Sequence, residues 1–456
     1  MSSNMKNMTQ GKPGKLIFTF AIPLMAGNIF QQLYTVVDTM VVGKFLGVDA
    51  LAALGASDWL NWMMLGIIQG FTQGFAIRMA QEFGAGDYRG LRRTIGNSEV
   101  LAVVFSILLV IIGQLTAKPI LQLLQTPAEI LPDSLLYIRI MFMGTPIVMA
   151  YNLLACILRS LGDSKTPLYA MVIASITNII LDVLFVFGFK WGIAGAAVAT
   201  LIAQVLSSVY CYYFLRKIKE VQPAKEDFRV EAGLMGRLLY LGFPMAFQNA
   251  IIAIGGMAVQ FVVNGFGVLF IAGFTATNKL YGLLEIAATS YGYAVVTYVG
   301  QNLGAKKLAR ISAGMKAALI IATITSIVIA GIMLIFGKLI LSCFISGTPA
   351  EVEQTLQIAY FYLAIMSVCL PVLYLLHVVR SGIQGTGNTV LPMLSGVAEF
   401  VMRVGSALIL PSLVGEIGIF FAEIAAWLGA DVVLVISYFV VMRSLKSKYG
   451  EEELSL

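Results

Sequence analysis

Charge is what this sequence has least of. Of 456 residues only 12% are Asp, Glu, Lys or Arg, while 59% are hydrophobic. A soluble domain carries about twice that share of charge. The chain therefore cannot cover a water-facing surface, and the soluble classes are excluded in favour of an integral membrane protein. Histidine occurs once, at His377, which excludes any multi-histidine metal site. The four cysteines (Cys156, Cys211, Cys343, Cys369) lie in or beside apolar runs without disulfide or ligand spacing, and read as reduced packing residues. There is no G-x-x-x-x-G-K-[ST] loop, since Gly331 to Lys338 has the wrong spacing and no following Ser or Thr. Nor is any polar stretch long enough for a nucleotide-binding domain, so ATP is not the direct energy source. With no H-E-x-x-H, no paired histidines and no Ser-His-Asp set, an enzyme is not expected. The net charge of +6 resides in short loops and is no nucleic-acid footprint.

What is present is apolar sequence in long runs. Twelve segments stand out, at 15–44, 50–82, 94–117, 134–159, 167–189, 193–215, 234–264, 268–302, 309–336, 353–381, 390–411 and 417–442. A membrane-spanning helix needs about 20 apolar residues, and none of the runs shows the period-two alternation of a barrel strand. The fold class expected is an all-α polytopic membrane protein of twelve transmembrane helices. Lys6, Lys12 and Lys15 precede a first run too long for a signal-peptide core, so this run reads as a first membrane helix that starts in the cytoplasm.

Basic residues set the orientation. With both termini inside, the cytoplasmic stretches take Lys6, Lys12, Lys15, Arg89, Arg92, Arg93, Arg159, Lys165, the cluster from Arg216 to Arg237, Lys306, Lys307, Arg310, Arg380, Arg443, Lys446 and Lys448. The outer loops keep only Lys44, Lys118, Lys190 and Lys338. The positive-inside rule then places the chain in the cell (inner or plasma) membrane with both ends cytoplasmic.

The sequence also echoes itself. Leu16 to Pro23 matches Arg237 to Pro244, Gln81-Glu82-Phe83-Gly84-Ala85 matches Gln301-Asn302-Leu303-Gly304-Ala305, and Arg159 to Pro167 matches Gln384 to Pro392, all at nearly constant offset. Two six-helix lobes follow, 1–217 and 234–456, joined by a polar cytoplasmic linker at 218–233. Because each half holds an even number of helices, the expected relation is a pseudo-two-fold along the membrane normal. A substrate path between such halves is the expectation for a secondary transporter.

An ion-driven transporter needs titratable or coordinating groups within the membrane, where they are costly and seldom accidental. Asp38 lies six residues before Lys44 and Asp182 eight before Lys190, which puts both carboxyls about 9–12 Å below the outer surface at 1.5 Å per residue. Asn178 is one turn from Asp182, and Thr200 falls at the same level. Gln31, Thr35, Asp38 and Val42 share a stripe of the first helix. The set Asp38, Asn178, Asp182 and Thr200 is suited to a shared proton, or to a sodium ion held by hard oxygens; the alternative is that each Asp caps a local hydrogen-bond network.

These residues resemble a family. Val37-Asp38-Thr39-Met40-Val41-Val42-Gly43-Lys44-Phe45-Leu46-Gly47 is similar to the D-t-x-x-V-G-x-x-L-G signature of multidrug and toxic compound extrusion (MATE) transporters. So are the paired Gln-x-x-Gly-Ala motifs, the Arg159 and Gln384 motifs, and Asn178-x-x-x-Asp182. The resemblance covers the whole chain. It implies a V-shaped cleft between the lobes and export of organic cations against an inward flow of protons or sodium. The set at Asp38, Asn178, Asp182 and Thr200 matches the coupling cluster of the DinF-like branch. The glutamate on helix 7 and the aspartate on helix 10 of the NorM-like branch are missing. A lipid-linked saccharide or lipid flippase of the same superfamily is the alternative function, and a major facilitator transporter a remoter one.

The C-terminal half carries charges of its own: Glu285 on the eighth segment, His377 and Arg380 on the tenth, and Glu399 with Arg403 on the eleventh. Glu399 and Arg403 are one turn apart and read as a local ion pair. His377 is either a proton relay or a packed interior histidine. Glu285 is either a contact for cationic substrate or a partner of Lys279, His377 or Arg403. Gln31 and Tyr34 are further candidate substrate contacts. Asp58 and Lys279 occupy repeat-equivalent positions, and are expected either to pair as an outer gate or to pair within their own lobes. No cofactor is expected beyond the coupling proton or sodium, and no metal beyond that sodium. The expected partners are small organic molecules and the bilayer, with no nucleic acid and the protein a monomer.

Overall fold

Residues 5–345 and 348–453 are described by a computed structural model. Among them the chain is helical throughout, with no strand. The helices are α1 (Pro13–Leu46), α2 (Val48–Ala85), α3 (Tyr88–Leu123), α4 (Leu131–Met143), α5 (Thr145–Ser160), α6 (Lys165–Asp182), α7 (Ile193–Leu215), α8 (Ala232–Val263), α9 (Val268–Gly304), α10 (Leu308–Ser342), α11 (Pro349–Val368), α12 (Leu370–Gly385), α13 (Val390–Val414) and α14 (Phe421–Glu453). Nine are long and apolar enough to cross a membrane, and the bent pairs α4–α5 and α11–α12 bring the number to eleven. The twelfth long segment is α9, whose 37 residues include polar side chains such as Thr277, Ser290, Gln301 and Asn302 that are buried in protein instead of facing lipid. These are the twelve segments expected from the runs.

Two of the twelve are broken where a continuous helix was expected. In the fourth segment the break is at Gly144 and in the tenth at Cys369, each with a bend of 49°. The cause is the same in both. Pro146 and Pro371 stand at the second position of the helix that follows. A proline there has no N–H to give to the preceding turn, and its ring disfavours helical backbone in the residue before it.

The chain forms two compact units. The first comprises the described residues of Met1–Met8 with Ile22–Ala250, and the second Thr9–Ala21 with the described residues of Ile251–Leu456. Two long helices, α1 and α8, thus contribute to both units. Residues 9–21 are tied into the second unit by the Lys307 ammonium, which donates to the Thr9 carbonyl at 3.0 Å. The linker after α7 belongs to the first unit. Arg93 pairs with Glu231, and Asn97 Nδ2 donates to the Asp227 and Arg229 carbonyls at 3.3 and 3.2 Å.

Inside the first unit, α2 meets α8 along Gly66, Gly70 and Gly74. A Cβ built on Gly70 or Gly74 would lie 2.4 Å from the Cα of Ala246 or Gly242, so only glycine permits this approach. The second unit is filled by a run of stacked rings: Phe270 on Phe420 at 5.2 Å, Phe420 on Tyr362 at 4.7 Å and Tyr362 on Phe274 at 5.0 Å. Outward faces are apolar in both units. Ile107, Ile111 and Leu115 on α3, and Ile320, Ile324, Ile327 and Ile335 on α10, are more than half exposed at helical spacing. Such a surface is stable only against lipid.

Candidate functional site

In the first unit, Asp38 on α1 is brought against Asp182, the last residue of α6, so that the two carboxyl groups lie within hydrogen-bonding reach of each other. Asp182 is fully buried and Asp38 only 7% exposed. Among the described residues neither Asp182 oxygen, nor Asp38 Oδ1, has a donor. The helix does not continue regularly beyond Asp182. Val183–Gly188 winds as a single π-helical stretch, a feature that often accompanies functional residues because it displaces one turn from the regular ladder. The simple depth count from Lys190 took this stretch as α-helix.

Asn178, one turn before Asp182, donates through Nδ2 to Thr200 Oγ1 at 3.3 Å, and Thr200 in turn donates to the Ala196 carbonyl at 3.1 Å. Asn178 Oδ1 is buried and has no partner among the described residues. Beside it is a small cavity of about 20 Å³ lined by Gln31, Tyr34, Tyr151, Asn178, Thr200 and Gln204, among others. About one probe sphere is enough space for a water molecule. The structure thus brings Asp38 to Asp182, and gathers Asn178 and Thr200 with Gln31 and Tyr34 around the cavity, whose lining does not include the two carboxyl groups. Gln204, one turn after Thr200, was missed by sequence reasoning; its Oε1 is also buried and unpartnered. Its position at i+4 from Thr200 was the available signal.

In the second unit the charges form a chain. Glu399 on α13 accepts from Arg380 Nη2 at 2.7 Å and from Arg403 Nη2 at 3.0 Å, and Arg403 reaches on to Glu423 at 2.8 Å. The local pair Glu399–Arg403 is thus present but is only part of a larger network. Arg380, expected on the tenth segment and counted with the cytoplasmic basic residues, is buried, 8% exposed, because α12 runs on to Gly385 and carries it inside. Glu285 on α9 lies 3.3 Å from His377 Nε2 on α12, so its partner is His377 and not Lys279. Asp58 on α2 and Lys279 on α9 are both exposed, one in each unit. Sequence reasoning missed Glu423 and Asp431 on α14; an acid within an apolar run was the signal, and both sit inside the 417–442 segment.

No group of three or more His, Cys, Asp or Glu with metal-binding geometry occurs among the described residues. All four cysteines are free thiols.

The MatE family model matches residues 23–184 and 244–409, one match in each half of the chain.

The chain belongs to the MatE family.

Among its relatives, the probable multidrug resistance protein YpnP of Bacillus subtilis is 31% identical over 362 residues, which is 78% of this chain and 80% of that protein. A second from the same organism, the probable multidrug resistance protein YoeA, is 29% identical over 354 residues, 76% of this chain and 75% of that one. The MatE fold is equally clear in three dimensions. An outward-facing multidrug resistance MATE family transporter of the MOP superfamily superimposes with a TM-score of 0.90 at 22% identity, over 98% of this chain and 99% of that one.

Proposed function

We propose that this MatE protein is a secondary active exporter of organic, predominantly cationic drugs or metabolites. It would work by alternating access in the cell (inner) membrane with both termini cytoplasmic, in antiport with protons taken up at Asp38 and Asp182. The buried, donor-less carboxyl pair carries this reading. Two carboxylates in reach of each other cannot both remain ionised in a low-dielectric site, so one proton shared between them is the stable state. A bound proton removes the negative charge that would hold a cationic substrate, and a bound cation opposes protonation. Each therefore displaces the other, and that mutual exclusion is what antiport requires. Gln31 and Tyr34 line the adjacent cavity, which as it stands has room for one water molecule, and we assign them to substrate contact when this space widens. The relatives' names as multidrug resistance proteins support the same substrate class, and the basic residues near the helix ends support the orientation.

Sodium is the other ion compatible with the site, since Asn178 Oδ1 and the carboxyl oxygens are hard ligands. The deciding experiment loads everted vesicles with a fluorescent cation under a pH gradient or, separately, a sodium gradient. Uptake is expected with the pH gradient, and is expected to be abolished by Asp38→Asn and by Asp182→Asn in protein that still folds. Wild-type transport by both variants would end the coupling assignment. Sodium-driven uptake at clamped pH, insensitive to a protonophore, would replace the proton by sodium.

A further inference from the structure

Glu285, midway along α9, is held differently from the other paired acids of the second unit. Glu399 accepts from two arginines and Glu423 shares Arg403. Glu285 instead pairs with the imidazole of His377, whose Nε2 lies 3.3 Å from its Oε1. A guanidinium stays charged in proteins, whereas an imidazole ordinarily gains and loses its charge between about pH 5 and 8. Loss of one proton is therefore enough to release Glu285, and no arginine has to move.

The pair is open, and it does not hold the helices together. The side chains of Glu285 and His377 are 25% and 17% exposed, against 6% for Glu399 and Arg403. Ionisable groups in membrane helices face the bundle interior or water and not lipid, so this open side is a wet one. On one side of the pair Tyr374 Oη donates to the Leu284 carbonyl at 2.9 Å. On the other, a Cβ built on Gly292 would lie 2.8 Å from Ser381 Oγ. These contacts fix α9 against α12, and Glu285 and His377 can part without a shift of either helix. One turn before Glu285 on the same helix is Tyr281, half-buried, its ring stacked on Trp427 at 6.0 Å. A carboxylate beside an aromatic face attracts an organic cation both by its charge and by the ring quadrupole.

We propose that Glu285 and Tyr281 form a binding site for an organic cation in the second unit, and that His377 is its stopper. Charged, His377 occupies Glu285; neutral, it yields the carboxylate to the cation. The inference rests on the reading that this protein carries organic cations, and not on the protons at Asp38 and Asp182. The exchange balances. His377 gives its proton to water on the open side and its ring nitrogen keeps the electron pair, while the entering cation restores the positive charge opposite Glu285. The elements packed on α12 bring further titratable groups: Glu399 from α13, Glu423 and Asp431 from α14, the exposed Lys316 from α10 and the buried Tyr362 from α11, with Arg380 on α12 itself. Glu399 and Glu423 keep their arginines in both states, so the change of charge is confined to Glu285 and His377.

His377 is the one histidine of the chain, so a single isotope label reads it. In full-length protein labelled with nitrogen-15 histidine and purified without a histidine tag, the ring nitrogen shifts separate charged imidazole from neutral. Tetraphenylphosphonium is the probe, because its positive charge is permanent and it has no proton to give. At the pH where half of His377 is charged, saturating probe is expected to cut the charged share about fivefold, the effect of a roughly tenfold coupling between the two ligands. Asp38→Asn should leave this response in place, and Glu285→Gln should abolish it. An imidazole that ignores bound probe in the wild-type protein overturns the site while leaving the cationic substrate class standing. A full response in Glu285→Gln also overturns it. Failure of Glu285→Gln to fold would give the pair a structural duty and overturn the stopper. No binding of tetraphenylphosphonium at all would overturn the substrate class together with the site.

Discussion

At the scale of single residues, Thr200 shows how little chemistry the candidate site needs. Its hydroxyl accepts from Asn178 and donates to its own helix, and so fixes which Asn178 atom is left for the carboxyl pair. Thr200→Val keeps the shape and removes the acceptor. A neutral hydrogen bond contributes about 0.5–1.5 kcal/mol, or roughly a two- to tenfold change, so the initial rate of gradient-driven efflux should fall by that factor and Thr200→Ser should restore it. Glu399 is under a different constraint. Its removal leaves both buried arginines with one carboxylate fewer, and Glu399→Leu should destabilise the protein by about 3–5 kcal/mol, as for other broken buried pairs; a melting temperature like that of the wild type would contradict the network. The sequence made Asp38, Asn178, Asp182 and Thr200 legible because depth along a helix can be counted from its ends. It did not reveal that Arg380 and Glu423 join the Glu399–Arg403 pair. Those contacts link α12, α13 and α14, and no spacing within one helix encodes them.

At the scale of elements, the number and order of the helices were legible, with ends within about six residues except for α14, which runs on to Glu453, because a run of apolar sequence in lipid leaves the backbone no other way to satisfy its hydrogen bonds. Their interruptions were less so. Gly144-Thr145-Pro146 and Cys369-Leu370-Pro371 carry their proline at the same spacing, yet apolar continuity across both masked the breaks. The π-helical stretch after Asp182 has no sequence signal of its own. The contact of α2 with α8 was hidden for another reason. Gly66, Gly70 and Gly74 form a small-residue repeat, but nothing in a single sequence says which helix will lie on it. Gly74→Val places a side chain where the backbone of Gly242 already is. Overpacking costs about 1–3 kcal/mol when side chains can yield, and here the neighbour is backbone, so the upper end is expected. Yield and melting temperature of the purified variant measure this, and no change in either would mean that α2 and α8 are not in contact.

At the scale of the whole molecule, the repeat predicted two halves, and the compact units are cut differently: α1 and α8 each pass from one unit to the other. The linker lies against the first unit through Arg93 and Glu231, which are 42% and 32% exposed. A bridge this open contributes little to stability, so Arg93→Ala should leave the melting temperature within about a degree or two, and a larger drop would give the linker a structural role. The passage of α1 between units has a consequence for synthesis. Residues 9–21 leave the ribosome early, while Lys307, which holds Thr9, follows 298 residues later. At roughly 5–20 residues per second the first helix waits about 15–60 s in the bilayer with its leading end undocked. The second unit cannot close until residues 9–21, made well before the rest of it, are threaded back into it. A gene divided within the linker would leave Thr9–Ala21 on the wrong polypeptide, and the C-terminal fragment, translated alone, would lack the helical segment that completes its own unit.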